Sequence, residues 1–300
     1  METTLPVSKR IALKNILLLT DFSEPSATAL QYATLMARGY GAKVTVLHAV
    51  VSSMYTYMAG EMSASVLDAE DETAQKEMGK IQAQLAGLPN EVIIRRDTAV
   101  WPSLAKFLQE REVDLIVLGT HGRTGLKKLM FGSTAEEVFR RTTVPVLTVG
   151  PAVRRPAHNE EQFQCVLFAT DFNSVSSVAA TYAMSLAQEN ESRLVLLHVL
   201  PAPKLGKSNR SVDLSVAEAL HRVQDVLPRD AELWCRPELV VEHGKPGAQI
   251  LATAERRGAD LIVLGVRGMD RLAEFAARTD RAVAYEVIAH APCPVLTLRG

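Results

Sequence analysis

Short, continuous apolar runs alternate along this chain with longer stretches in which apolar residues recur every three or four positions. Continuous runs of strand length are the pattern of central strands covered on both faces, and the longer periodic stretches are the pattern of amphipathic helices. In the first half the runs predict strands near residues 15 to 20, 43 to 49, 91 to 95, 114 to 118 and 145 to 149, with helices between them. The second of those helices shows its period well. Leu67, Ala74, Met78, Ile81 and Leu85 fall on one stripe, while Asp68, Glu70, Asp71, Glu72, Lys76 and Glu77 take the rest. Such alternation implies a parallel sheet with right-handed crossovers, and ligands of such sheets sit beyond the carboxyl ends of the strands.

The pattern is written twice. The segment from Lys14, KNILLLTDFSEPSATALQYATLMARGYGAKVTVLHAV, is echoed from Gln164 by QCVLFATDFNSVSSVAATYAMSLAQENESRLVLLHVL, pairing Asp21 with Asp171 and His48 with His198. Further on, VDLIVLGTHG from Val113 returns as ADLIVLGVRG from Ala259, and VPVLTVG from Val144 returns as CPVLTLRG from Cys293. The order is kept, so the chain is expected to be two tandem domains, residues 1–152 and 161–300, joined by the polar, proline-bearing stretch Pro151 to Glu161. The 300 residues allow two ordinary domains.

Charge and composition remove several function classes. A net charge of -1 gives no support to phosphate-backbone binding along a nucleic acid. Cys165, Cys235 and Cys293 are widely spaced and hold no C-x-x-C pair, which points to neither a disulfide framework nor a zinc site and fits a reducing compartment. The N-terminal apolar run Ile16 to Leu19 breaks at Thr20-Asp21, and no stretch approaches the ~20 apolar residues of a membrane helix. A cytoplasmic location without membrane insertion is the expectation.

Candidate chemistry lies in the loops after the first and fourth strands. In Thr20-Asp21-Phe22-Ser23-Glu24-Pro25, Ser23 fits a helix cap and Pro25 the first helical turn. Asp21 either closes a turn or hydrogen-bonds a ribose or base. After the fourth strand, Gly119, Gly122, Gly125 and Gly132 surround Thr120, His121, Arg123, Lys127 and Lys128, and Ser133-Thr134 opens a helix. Glycines permit close backbone approach, the helix start favours an anion and the cations add positive charge, which together describe a phosphate site. The bland reading is a capping box, Ser133 with Glu136, and glycines that serve only turns. G-x-G-x-x-G after the first strand and G-x-x-x-x-G-K-[ST] are both missing, which disfavours a dinucleotide site and a P-loop enzyme.

These residues closely resemble the universal stress protein family over nearly the whole chain. Its ATP-binding members carry Gly-x2-Gly-x9-Gly-[Ser/Thr] after the fourth strand, and Gly119, Gly122, Gly132 and Ser133 match that spacing. The Thr20-Asp21-Phe22-Ser23 start, the Val46-Leu47-His48-Ala49-Val50 strand end and Val144-Pro145-Val146-Leu147 match as well. The resemblance implies two open-sheet, Rossmann-like α/β domains, each a five-stranded, mainly parallel sheet with helices on both faces. It implies ATP, with Mg2+, as the ligand of the first domain. Asp21, within Thr20 to Ser23, would contact adenosine, and the backbone near Ala49 and Val50 the adenine. Gly119, Thr120, Gly122, Arg123, Gly132, Ser133 and Thr134 would hold ribose and phosphates. It further implies that the last strands, Pro145 to Val149 and Pro294 to Leu298, pair so that one chain mimics a dimer, with a homodimer also open.

The second copy keeps Asp171, Gly265 and Gly268 but has Arg278-Thr279 where Gly-Ser is expected, and Asp270 and Glu274 add negative charge. It is expected to bind ATP weakly or not at all. His121 has no partner at triad-like positions, and His48 and His198 are expected to be packed strand-end residues rather than metal ligands. Met54, Tyr55, Tyr57, Met58 and Met62 form a base cover, a partner surface or a plain loop. The function expected is a nucleotide-responsive regulatory or stress-resistance factor; the alternatives are a slow ATP-hydrolysing enzyme or an interaction module that has lost nucleotide.

Overall fold

A computed structural model describes residues 10–51, 64–120, 132–156, 162–203, 209–227, 235–267 and 274–299. They form two compact units, one of Ala12–Val149 and one of Gly150–Gly300 together with Met1–Ile11. In the second unit the Ile11 N–H donates to Ser185 Oγ at 2.9 Å. Gly150, where that unit starts, lies so close to the Ile288 carbonyl that an added Cβ would stand 2.5 Å from its oxygen.

The first unit runs β1 (Asn15–Leu19), α1 (Glu24–Tyr40), β2 (Lys43–Val51), α2 (Ala64–Gln84), β3 (Asn90–Asp97), α3 (Val100–Glu110), β4 (Leu115–Gly119), α4 (Ser133–Arg141) and β5 (Val146–Val149). Its strands pair in parallel in the order β3-β2-β1-β4-β5. Leu17 and Leu19 of β1 join Leu47, Leu104, Phe107 and Val138 in a buried cluster with α3 and α4, while Ile16 and Leu18, one residue out of step, are buried as well. Period-two side chains with both faces covered explain the unbroken apolar runs. Ala74 and Met78 on α2 and Leu85 just beyond it are buried and Ile81 is half-buried, so these four members of the expected stripe face inward, while the side chain of Leu67 lies outside the described residues.

The second unit repeats the plan: β6 (Cys165–Ala169), α5 (Ser174–Glu189), β7 (Arg193–Leu200), α6 (Asn209–Gln224), β8 (Arg236–His243), α7 (Pro246–Arg257), β9 (Leu261–Val266), α8 (Glu274–His290) and β10 (Val295–Arg299). The order is β10-β9-β6-β7-β8, again parallel. The repeated aspartate before β4 and β9 has a structural role. Asp114 Oδ2 accepts the N–H groups of Lys14 and Asn15 at 2.8 Å, and Asp260 accepts those of Gln164 and Cys165 at 2.6 and 3.1 Å. Each fixes the register at which the first strand of its unit enters the sheet.

The chain goes from β1 outward through β2 and β3, then returns to β4 on the other side. That reversal opens a crevice beyond the carboxyl ends of β1 and β4, the place where open α/β sheets hold ligands. β6 and β9 make the same reversal in the second unit.

Candidate functional site

The β1–α1 turn is built by its own side chains. Phe22 has φ 64°, a left-handed conformation that is an outlier for a bulky residue. It is held there because Thr20 Oγ1 accepts the Phe22 N–H at 3.1 Å and Asp21 Oδ1 accepts the Ser23 N–H at 3.0 Å. Ser26 Oγ donates to Asp21 Oδ1 at 2.5 Å, and Ser23 Oγ caps α1 by accepting the Ser26 N–H at 3.4 Å. Partial burial of Asp21 pushes its carboxyl up, but hydrogen bonds from Ser23 and Ser26 outweigh that and hold it below the usual value, so it is ionised at neutral pH.

His48, at the end of β2, joins this turn. Its Nδ1 lies 2.8 Å from the Thr20 carbonyl oxygen. A carbonyl only accepts, so Nδ1 carries the proton. His48 and His198 are thus both packed strand-end residues, His198 Nδ1 lying 2.8 Å from the Thr170 carbonyl.

At the end of β4, Gly119 packs against the start of α1; a Cβ there would lie 2.9 Å from Pro25 C and Cβ. Close packing of helix on strand therefore demands this glycine whatever the ligand. Thr120 is buried, its N–H bonded to the Val149 carbonyl at 3.0 Å, and its carbonyl accepts the Gly132 N–H at 2.7 Å. Gly132 is the N-cap of α4, with extended backbone and no side-chain cap, and Ser133 is the first helical residue. The capping-box reading fails on that geometry, because Ser133 stands one residue too late to cap. The N–H groups of Ser133, Thr134 and Ala135 have no preceding helical turn to supply acceptors. Glu136, the first-turn acid, instead lies 3.8 Å from Arg140.

A cavity of about 230 Å³ joins these pieces. It is lined by Thr20, Asp21, Ser26, His48 and Ala49 on one side and by Gly119, Thr120, Gly132, Ser133 and Thr134 on the other. Of the residues picked from the sequence, Thr20, Asp21, Ala49, Gly119, Thr120, Gly132, Ser133 and Thr134 meet there. Phe22, Ser23 and Val50 are not on its lining: Ser23 caps α1, Phe22 packs on His48 and Val50 is buried in β2. Gly122, Arg123, His121, Lys127 and Lys128, and the methionine–tyrosine cluster Met54 to Met62, lie outside the described residues. Val100, the first residue of α3, lines the cavity and carried no signal in the sequence.

The second unit reproduces the turn and changes the rest. Phe172 has φ 63°, Thr170 Oγ1 accepts its N–H at 3.0 Å, and Ser176 Oγ donates to Asp171 at 2.9 Å. Here Arg267, which follows β9, donates from Nε and Nη2 to Asp280 at 2.6 and 3.1 Å and from Nη2 to Asp171 at 3.2 Å. Helix α8 starts at Glu274, so Arg278 and Thr279, the counterparts of Gly132 and Ser133, lie inside the helix instead of at its start. Their N–H groups are taken up by the preceding turn. Met269 to Ala273, including Asp270, lie outside the described residues.

The family profile and the relatives that follow point to the same family. The sequence profile of the universal stress protein family matches residues 12–150 and again 162–299. A universal stress protein of Mycolicibacterium smegmatis is 26% identical over 306 aligned positions, covering 95% of this chain and 96% of its own length. One from Methanocaldococcus jannaschii is 30% identical over 150 positions, covering 45% of this chain and 81% of its own. Among solved structures, a universal stress protein of Archaeoglobus fulgidus superimposes with a TM-score of 0.65 at 24% identity, covering 95% and 96% of the two chains.

Proposed function

The chain belongs to the universal stress protein family, and from that premise we propose that its N-terminal unit binds ATP and reports nucleotide occupancy as a regulatory or stress-resistance factor. The observation that carries this reading is the uncapped start of α4 at the edge of the crevice cavity. An anion there meets aligned N–H groups and the positive end of the helix dipole. In this reading Asp21 and the β2 end at Ala49 and Val50 hold adenosine. Gly119, Thr120, Gly132, Ser133 and Thr134 hold ribose and phosphates, joined by Gly122 and Arg123.

The residues fit such a ligand: the phosphate end offers backbone donors and hydroxyls, and the one carboxylate named on the lining, Asp21, sits at the β1 end. Mg2+ would arrive on the triphosphate, supplying charge neutralisation to the phosphates. Functional domains of residues 1–152 and 161–300, an intrachain pseudo-dimer, a possible homodimer and a cytoplasmic location complete the proposal, the last supported by three free, buried cysteines.

The test is calorimetric titration of the full chain with MgATP beside a Gly132→Val variant, with mass spectrometry of any nucleotide that co-purifies. Binding of one ATP per chain, weakened at least about tenfold in the variant, is expected, a loss of about 1.4 kcal/mol. No saturable heat with the wild-type chain overturns the reading.

A further inference from the structure

The larger of the two crevice cavities is in the C-terminal unit, and its chemistry differs. At about 380 Å³ it falls within the range of small-molecule sites, about 300 to 1,000 Å³. Leu197 and Val199 from β7, Ile250 from α7, Leu264 from β9, and Val283 and Ala284 from α8 give it aliphatic walls.

The charged side chains on its lining are engaged within the protein. Asp171 accepts from Asn173, Ser176 and Arg267; Asp280 is held by two bonds from Arg267; His198 Nδ1 is on the Thr170 carbonyl. Among the described residues of the lining, one guanidinium faces two carboxylates, a balance of one negative charge that opposes a phosphate. Thr279 lies a full turn inside α8, so its N–H is used within the helix. What remains for a ligand is mostly apolar surface.

We infer that the C-terminal cavity binds an uncharged, predominantly apolar small molecule and excludes nucleotides. Burial of the ligand's own apolar area drives such binding, and the Arg267 ion cluster supplies the selectivity, because a charged ligand has to break bonds already made. The inference does not rest on ATP binding by the N-terminal unit, and either can fail alone.

The test uses the full-length protein and the neutral fluorescent probe N-phenyl-1-naphthylamine. Saturable binding with a blue-shifted emission is expected. Val199→Trp and Val283→Trp, on different elements and both half-buried, fill the cavity and weaken the probe at least about tenfold, whereas Val100→Trp in the N-terminal cavity changes it by less than about twofold. Two filling variants keep the result readable if one disturbs folding. ATP added to the Val100→Trp protein leaves the probe in place. Absence of saturable binding overturns the inference, as does loss of binding in Val100→Trp alone, or displacement of the probe by ATP in that variant.

Discussion

The Phe22 ring lies 4.2 Å, centroid to centroid, from the imidazole of His48, and 150 positions later Phe172 lies 4.4 Å from His198 at nearly the same tilt, 37° against 36°. In both units a left-handed phenylalanine is tied to the histidine that hydrogen-bonds the preceding threonine carbonyl. A strained backbone persists where its surroundings over-determine it, and this pair supplies that constraint.

Removing the imidazole strands the Thr20 carbonyl and uncovers the ring. His48→Ala is therefore expected to cost about 1–2 kcal/mol of stability, and His198→Ala a similar amount. Urea denaturation followed by circular dichroism measures both, and a change below about 0.5 kcal/mol would remove the pair from the stabilising interactions.

Two glycines should respond to the same substitution with opposite signs. Gly119→Ala drives a methyl into Pro25 and is expected to destabilise by about 1–3 kcal/mol. Gly39→Ala, inside α1 with open space around it, should stabilise by about 0.5–1 kcal/mol through helix propensity. Thermal unfolding midpoints moving in the same direction would contradict the packing described.

Acid should weaken the N-terminal unit through Glu91. Hydrogen bonds from Arg111 and Lys43 hold this carboxyl down at about 2 against an ordinary 4.5. A depressed folded-state value gives stability that is complete above pH 4.5 and is lost as pH falls towards 2. The group is partly solvent-exposed, so salt should shrink the effect. Glu91→Gln is expected to flatten stability against pH over that interval at low ionic strength; an unchanged slope rejects the assignment.

Arg267 should couple to Asp280. Arg267→Met leaves two carboxylates facing each other and is expected to cost about 1–3 kcal/mol, and adding Asp280→Asn should recover part of it. A double-mutant cycle by chemical denaturation measures the coupling, and strictly additive losses would mean that the bonds contribute nothing.

The duplication, the strand positions and the α2 stripe were legible because each is a matter of local period and order. Ser23 as a cap was readable for the same reason. Asp21 was found by position but its partners were not, since Ser26 reaches it only once α1 has formed. Val100 was invisible: it approaches the cavity through the packing of α3, which no motif encodes. The Arg278-Thr279 departure was visible as an altered motif, yet the ion cluster behind it joins Arg267 to Asp171 across 96 positions. Ser133 was read both as the opening of a helix and as half of a capping box, and a one-residue shift of the cap to Gly132 separated the two.

If the two proposals hold, the start of α8 is the means by which a duplicated domain changes its ligand without changing its fold. Winding residues ahead of Thr279 into helix consumes the amides that their N-terminal counterparts leave open, yet all four strand pairings of the sheet are retained. In that reading, affinity for an anion would be set by where one helix begins, a property that a handful of surface substitutions can rewrite while the sheet beneath bears the stability of both versions.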